Sequence, residues 1–212
     1  MPSGKYVEGV WEESDCAQWH RRLDQYDSAI AALGKEKLVN LDRWFREELP
    51  TKILERVAPR IYHDELQGIA AWKMHRGSWR ERNRQLIAAI PPEQVEEVSR
   101  EAFAAIPDPR KPVAILSTLP GVGPATASAA LAAYAPQIYP FFDELVAAFI
   151  PDLGPVAFTM SYYLKYATAL RERADLLNAT CSDTASTAGT LRKWTAHDVA
   201  QALWAVGSSL NP

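Results

Sequence analysis

The sequence predicts an all-α fold, because apolar residues recur at helical spacing and prolines separate the stretches in which they do so. Within 93–106, Val95, Val98 and Ala102 form one apolar stripe, and glutamates occupy the opposite face. Most of the 15 prolines lie between such stretches, where they end one helix before the next begins. No stretch alternates apolar and polar residues convincingly, so no strand is predicted.

Start and stop signals place the helices along the chain. The predicted helices span 14–33, 36–48, 64–76, 82–90, 93–106, 110–118, 143–150 and 158–177. A last helix is expected to begin at a capping box formed by Thr195 and Asp198 and to end at Gly207. The polar, small-residue segment 178–190 is expected to be a surface loop before that helix.

Other residues outside the main motifs have mainly structural interpretations. Asp64 and Glu65 stand at a predicted helix start, where acidic residues usually cap the helix, although they could instead line a pocket. His197 lies in the first turn of the last helix and is expected to be exposed. A tyrosine cluster is expected to pack the N- and C-terminal helices together. Its members are Tyr162, Tyr163 and Tyr166.

Charge and cysteine content exclude some classes of protein. The 212 residues include 23 Lys and Arg against 26 Asp and Glu, a net charge of −3. That balance excludes a highly basic nucleic-acid coat protein but allows a local basic patch. The two cysteines, Cys16 and Cys181, are too few for a disulfide framework or an all-cysteine iron–sulfur or zinc site. A reducing compartment is the default expectation, and a single disulfide stays open.

The chain shows no targeting or membrane segment. Its first twenty residues lack the apolar core of a secretory signal, and no apolar run is long enough to span a bilayer. We therefore expect a nuclear or cytoplasmic monomer that does not associate with membranes. We expect residues 63–143 to form a central helical unit, and residues 1–62 and 144–212 to pack together as a second one.

The stretch 116–134 is typical of two helices joined by a tight hairpin. Pro120 cannot donate a helical hydrogen bond, and Gly121 and Gly123 permit a positive φ and a close approach of the backbone. Pro124 suits the first position of the second helix. Main-chain amides at such a helix start attract anions, and a phosphate fits best. The stretch therefore predicts a phosphate-binding hairpin.

This stretch resembles the helix-hairpin-helix of the DNA glycosylase superfamily. Residues 119–127 read Leu-Pro-Gly-Val-Gly-Pro-Ala-Thr-Ala, and residues 139–146 read Tyr-Pro-Phe-Phe-Asp-Glu-Leu-Val. The second segment is similar to the one that holds the essential aspartate of adenine-mismatch glycosylases, and its spacing from the hairpin needs no gap. The resemblance covers about 35 residues of the chain strongly. It implies a glycosylase-like helical fold.

The resemblance also implies roles for individual residues. Asp143 would be the catalytic carboxylate, although aspartate is also among the best helix caps. The main-chain carbonyls of Ser117, Leu119 and Val122 would hold a monovalent cation that links the hairpin to a DNA phosphate. The hairpin residues expected to contact DNA are Leu119, Gly121, Val122, Gly123, Ala125 and Thr126.

Two departures from the family pattern narrow the expected chemistry. Ala125 stands where bifunctional members have a Schiff-base lysine, and alanine cannot form an imine. The enzyme, if it is one, would therefore be monofunctional. The four-cysteine cluster of many relatives is absent, so no iron–sulfur cluster is expected, and the hairpin cation is the one cofactor that the resemblance suggests.

A basic and aromatic stretch, 72–84, is the second candidate for DNA contact. Its local net charge is +4, with five Lys and Arg against one Glu. Lys73, Arg76 and Arg80 could bind phosphates, or this stretch could be a solvated helix face that pairs with the acidic helix 93–106. Trp72 and Trp79 could stack on a base, but core burial is the favoured interpretation for both.

The sequence thus favours a monofunctional DNA glycosylase-like protein of base-excision repair. It would flip a damaged or mispaired base out of duplex DNA and cleave its N-glycosidic bond, with Asp143 stabilising the positive charge that develops on the sugar. The alternative is a non-catalytic member of the same fold that binds DNA or another protein. A third possibility, a helical enzyme that acts on small molecules, has no motif in its favour.

Overall fold

The computed structural model of this chain describes residues 9–181 and 193–210, and all regular secondary structure in those ranges is helical. The all-α prediction is therefore confirmed. The helices are α1 (Cys16–Asp24), α2 (Tyr26–Ala32), α3 (Glu36–Arg43), α4 (Leu49–Leu54), α5 (His63–Arg76), α6 (Glu81–Ala88), α7 (Pro92–Ala104), α8 (Lys111–Leu116), α9 (Pro124–Tyr134), α10 (Glu144–Ala147), α11 (Met160–Thr180) and α12 (Ala196–Leu210). A π-helical turn, Trp44–Glu48, joins α3 to α4.

Two of the predicted helices are divided or shortened, and one helix lies outside the predicted set. The helix predicted over 14–33 is two helices that meet at Gln25, and the one predicted over 143–150 is a single turn. Helix α4 was not predicted, because Pro50 is typical of a helix end. Pro50 occupies the second position of α4, directly after the π-helical turn that precedes this helix.

The last two helices also run further than predicted. Gly207 does not end α12. It lies inside the helix, where a Cβ would come within 3.0 Å of Cε2 of Phe149, so glycine there serves close packing. Helix α11 continues through Thr180, and the side chain of Asn178 binds both the amide and the carbonyl of Trp194. The predicted loop therefore begins later than Asn178, and its residues from 182 onward lie outside the described ranges.

Cys16 and Cys181 form a disulfide, which is the alternative that the sequence left open. It ties the first residue of α1 to the residue that follows α11. The cross-link closes a loop with a sequence separation of 165 residues, so it restricts the unfolded chain strongly.

Helix α9 is the central element of the packing. Its alanine-rich sequence lets α4, α5, α8 and α11 approach it, and nearly all of its residues are buried. Helix α12 packs against α1, α2, α10 and α11, so the two ends of the chain meet. The division into two helical units stays a prediction. No helix in the described ranges is both long enough and apolar enough to span a membrane.

Candidate functional site

The hairpin between α8 and α9 uses its two glycines differently. Gly121 has φ +80°, and a Cβ on it would lie 2.7 Å from the carbonyl oxygen of Asn83. Gly121 is therefore required both by the turn and by its contact with α6. Gly123 has φ −101° and ψ −178°, an extended conformation open to any residue, and a Cβ on it would meet no atom within 4 Å. The expectation of a positive φ holds for Gly121 and is wrong for Gly123.

The accessible donors of the hairpin belong to the main chain. The side chains of Leu119, Val122, Ala125 and Thr126 are all buried. Pro124 is the first residue of α9, as predicted, and the Gly123 carbonyl accepts the amides of the two residues that follow Ala125. Within the described ranges, the amides of Gly123 and Ala125 donate to no backbone acceptor. Any contact with DNA would therefore use the backbone.

The three carbonyls expected to hold a cation belong to the same turn. The Leu119 carbonyl accepts the amide of Val122 at 3.0 Å and keeps a second lone pair. The hydroxyl of Ser117 is buried and has no hydrogen-bond partner among the described residues. The cation at this turn stays a prediction.

The two segments that the sequence treats separately meet in one pocket. The end of α5 and the residues after it form one wall, and the segment that leads into α10 forms the other. The pocket measures about 70 Å³, enough for a few water-sized groups. Its lining residues include Lys73, Arg76, Arg80, Phe142, Asp143 and Phe158.

Asp143 lies in the pocket wall and is 8% exposed. One carboxylate oxygen, Oδ1, accepts the amide of Leu145 at 2.9 Å and so caps α10. The other oxygen, Oδ2, accepts Nη2 of Arg76 at 3.1 Å. Both oxygens therefore already have a partner within the chain.

Arg76 is not the exposed phosphate ligand that the basic stretch suggested. Its side chain is 3% exposed and packs over the rings of Trp72 and Trp204, at 4.9 and 4.2 Å. Burial alone would lower the pKa of Arg76, but Tyr26 and the neighbouring carboxylates, chiefly Asp143, raise it on balance. The guanidinium therefore stays charged, and its charge is directed at Asp143.

A buried polar network behind the pocket was missed by the sequence analysis. Arg76 Nη1 donates to the hydroxyl of Tyr26, which donates in turn to Oδ1 of Asp42 at 2.8 Å. Asp42 is 1% exposed and also accepts the indole N–H of Trp72 and Nε of Arg46. Its position offered a signal, because 38, 42, 45 and 49 form one helical stripe in which Asp42 is the only charged residue.

Lys73 and Arg80 remain available to a ligand. Lys73 is half-buried, Arg80 is exposed, and neither side chain makes an ion pair or hydrogen bond with the described residues. Burial is the main cause that lowers the pKa of Lys73, and the charge of Arg80 adds to it, while Asp143 and Glu144 act in the opposite direction. Lys73 and Arg80 are therefore close enough to repel each other.

The two tryptophans of the basic stretch have different environments. Trp72 is fully buried and stacks on Phe45 with ring centroids 3.8 Å apart, as core burial predicts. Trp79 is 48% exposed and its indole N–H donates to Glu81, so the expectation of core burial is wrong for it. The acidic helix α7 pairs with Arg60 through Glu96, rather than with this stretch.

His197 and the tyrosine cluster support the segment before Asp143. His197 is buried, contrary to expectation, and its Nδ1 accepts the amide of Phe141 at 3.4 Å. The hydroxyls of Tyr163 and Tyr166 donate to the carbonyls of Pro140 and Phe141. Two of the tyrosines therefore hold the wall of the pocket, and the packing of the terminal helices by the cluster stays a prediction.

Hydrogen bonds also explain the role of Glu65 at the start of α5. Its carboxylate accepts the amide of Tyr62 at 2.8 Å and pairs with Arg56. Glu65 is therefore a cap, as the structural interpretation holds, and it does not line the pocket. At the other end of the chain, Thr195 and Asp198 form the predicted reciprocal capping box.

The pocket is tied directly to the hairpin helix. The amide of Phe142, next to Asp143, donates to the hydroxyl of Ser128 at 3.0 Å. Ser128 lies five residues after Gly123, about 7.5 Å along the axis of α9. The pocket wall is therefore held at a fixed distance from the start of α9.

Comparisons with protein-family models, with curated proteins and with solved structures give no match to this chain. The resemblance to helix-hairpin-helix glycosylases therefore rests on the short motifs in 119–127 and 139–146. Within the described ranges, no three His, Cys, Asp or Glu side chains group together in a way that could hold a metal ion.

Proposed function

We propose that this chain is a helix-hairpin-helix, glycosylase-like protein that binds damaged or mispaired duplex DNA and cleaves the N-glycosidic bond of a flipped nucleotide. One observation carries the proposal. Asp143 lies in a pocket wall that is hydrogen-bonded to α9, the helix that begins at the hairpin. Anchoring and chemistry would therefore be held in fixed register by a single rigid element.

In this proposal the hairpin binds a backbone phosphate through the amides at the start of α9. These contacts position the DNA strand but do not recognise its base sequence, because every nucleotide presents the same phosphate. Asp143 stabilises the positive charge that develops on the sugar as the glycosidic bond breaks. The base leaves with the electron pair of the broken bond, the oxygen of a water molecule bonds to the sugar carbon, and the proton that this water loses balances the one that the base takes up. Ala125 supplies no amine, so this route ends at an abasic site.

Asp143→Asn tests the catalytic role. Asparagine caps a helix nearly as well as aspartate but has no charge. The change also leaves the buried Arg76 without its charged partner, so the free energy of unfolding should fall, and the assays are run where urea denaturation shows the variant folded. Under those conditions we expect binding of duplex DNA to stay near normal and base excision to fall by orders of magnitude. Excision is measured as alkali-labile sites on a panel of duplexes that contain damaged or mispaired bases.

Asp15→Asn is the matched control. Asp15 caps α1 in the same way, accepting the amide two residues later at 2.9 Å, but it lies far from the pocket along the chain. It should leave excision unchanged. Full excision activity in Asp143→Asn would contradict the mechanism proposed here.

A non-catalytic DNA-binding protein is the second candidate, and the Arg76–Asp143 pair favours it. A carboxylate already paired with a guanidinium has less charge to offer a transition state, and a pocket of about 70 Å³ is small for a nucleobase. Under this alternative, the parent binds duplex DNA with a salt-dependent affinity and excises no base from any duplex in the panel.

A further inference from the structure

The pocket has more positive charge than its carboxylates neutralise. Arg76 and Asp143 satisfy each other, which leaves Lys73 and Arg80 facing Glu144 alone. Glu144 is exposed and forms no ion pair of 4.0 Å or less with either of them in the described ranges. Two neighbouring cations that pair with no carboxylate in the described ranges form a site for an anion.

The size of the pocket restricts what can enter it. The enclosed space of about 70 Å³ suits a group of a few heavy atoms, such as a phosphate. A ring attached to that group can then lie at the mouth of the pocket.

An exposed aromatic side chain lies at the mouth of the pocket. Phe158, in the segment that leads into α11, lines the pocket and is 51% exposed. Its inner side packs on Phe142, with ring centroids 5.2 Å apart, so the ring is supported from within while much of it faces solvent. A supported and exposed ring of this kind can stack on a base.

We propose that the pocket binds one nucleotide unit, with its phosphate between Lys73 and Arg80 and its base against Phe158. This arrangement places the sugar between the phosphate site and Phe158, beside Asp143. The proposal deepens the proposed function and rests on it only for the origin of the nucleotide, because a free nucleotide offers the same groups. Stacking is tolerant of base identity, so purine and pyrimidine nucleotides bind with similar affinity.

The test is a titration of the full chain with deoxyadenosine 5′-monophosphate and, separately, with inorganic phosphate. We expect the nucleotide to bind more tightly than phosphate. Phe158→Leu should weaken nucleotide binding about tenfold, the usual size of one stacking contact, and should leave phosphate binding unchanged. Lys73→Gln and Arg80→Gln should each weaken both ligands.

Arg84→Gln is the matched control, because Arg84 belongs to the same basic stretch but is paired with Glu81. It should change neither affinity. The proposal is overturned if the nucleotide binds no better than phosphate, or if Arg84→Gln weakens binding as much as Arg80→Gln. Either result would leave the proposed DNA function standing, because binding of duplex DNA through the hairpin is measured separately with Gly123 variants.

Discussion

The hairpin and the pocket both contain polar groups, but they satisfy them in opposite ways. The hairpin presents main-chain amides, at Gly123 and Ala125, that meet no backbone acceptor in the described ranges. The pocket pairs its buried groups internally, because Arg76 binds both Asp143 and Tyr26. The hairpin is therefore prepared for a partner from outside. The pocket is held together by contacts that any partner must leave intact or replace.

The largest expected effect comes from breaking the buried pair. Arg76→Met leaves Asp143 without its cation in a buried site, and we expect it to lower the free energy of unfolding by about 3–5 kcal/mol. Denaturation in urea measures the loss. Adding Asp143→Asn should recover part of it, because the remaining group is no longer charged.

Arg84→Met serves as the control for that experiment, because Arg84 pairs with Glu81 on the exposed surface. It should leave the denaturation midpoint unchanged. A loss in Arg76→Met of less than about 1 kcal/mol would mean that the pair is not what holds this wall of the pocket.

The next effect concerns pH. Burial lowers the pKa of His197 from 6.5 to about 4, with Asp198 opposing the shift. The unfolded chain then binds more protons than the folded one between those values, so stability is full above about pH 6.5 and falls as the pH drops towards 4. The loss should reach about 3 kcal/mol. Unfolding curves of the parent and of His197→Gln, compared across this range, isolate the contribution. If the free energy of unfolding depends on pH in the same way in the parent and in His197→Gln, this contribution of His197 is contradicted.

Gly121→Ala should have a smaller but clear effect on folding. The substituted residue would need a left-handed φ, and its Cβ would overlap the Asn83 carbonyl. We expect a loss of at least about 2 kcal/mol, measured by thermal or urea unfolding. A stability equal to that of the parent would show that the turn relaxes away from α6.

Gly123→Val should have the opposite profile. Its backbone is extended and the space around it is open, so stability should change by less than about 0.5 kcal/mol. The added side chain lies where a phosphate must approach the amides, so affinity for all duplexes should fall alike. If Gly123→Val binds duplex DNA as tightly as the parent, the hairpin is purely structural.

The smallest effect is on salt dependence. Arg80→Gln removes one cation that pairs with no described residue, and the slope of log K against log salt for duplex DNA should fall by about 0.9 for one lost phosphate contact. Arg84→Gln should leave the slope unchanged. If Arg80→Gln and Arg84→Gln lower the slope equally, the decrease reflects the net charge of the protein and not a phosphate contact at the pocket.

The sequence by itself determined the features that depend on neighbouring residues. The helical class, the start of α9 at Pro124 and the capping box of Thr195 and Asp198 all follow from local rules, because each depends on residues within one or two turns of the chain. Local rules treat Gly121 and Gly123 alike, and only the structure shows that Gly121 alone is left-handed. Amphipathic spacing also placed most of the helices, since one buried face repeats with the helical period.

Tertiary structure alone decided which polar residues are buried and what they face. Arg76 reads as one more cation of a basic stretch, yet its partner Asp143 lies 67 positions away. His197 reads as an exposed residue of a first turn, yet it accepts the amide of Phe141, 56 positions earlier. Phe158 belongs to no motif and lines the pocket only because its segment folds back over Phe142. Such pairings depend on how helices pack, and a pattern with a period of 3.6 residues describes one helix at a time.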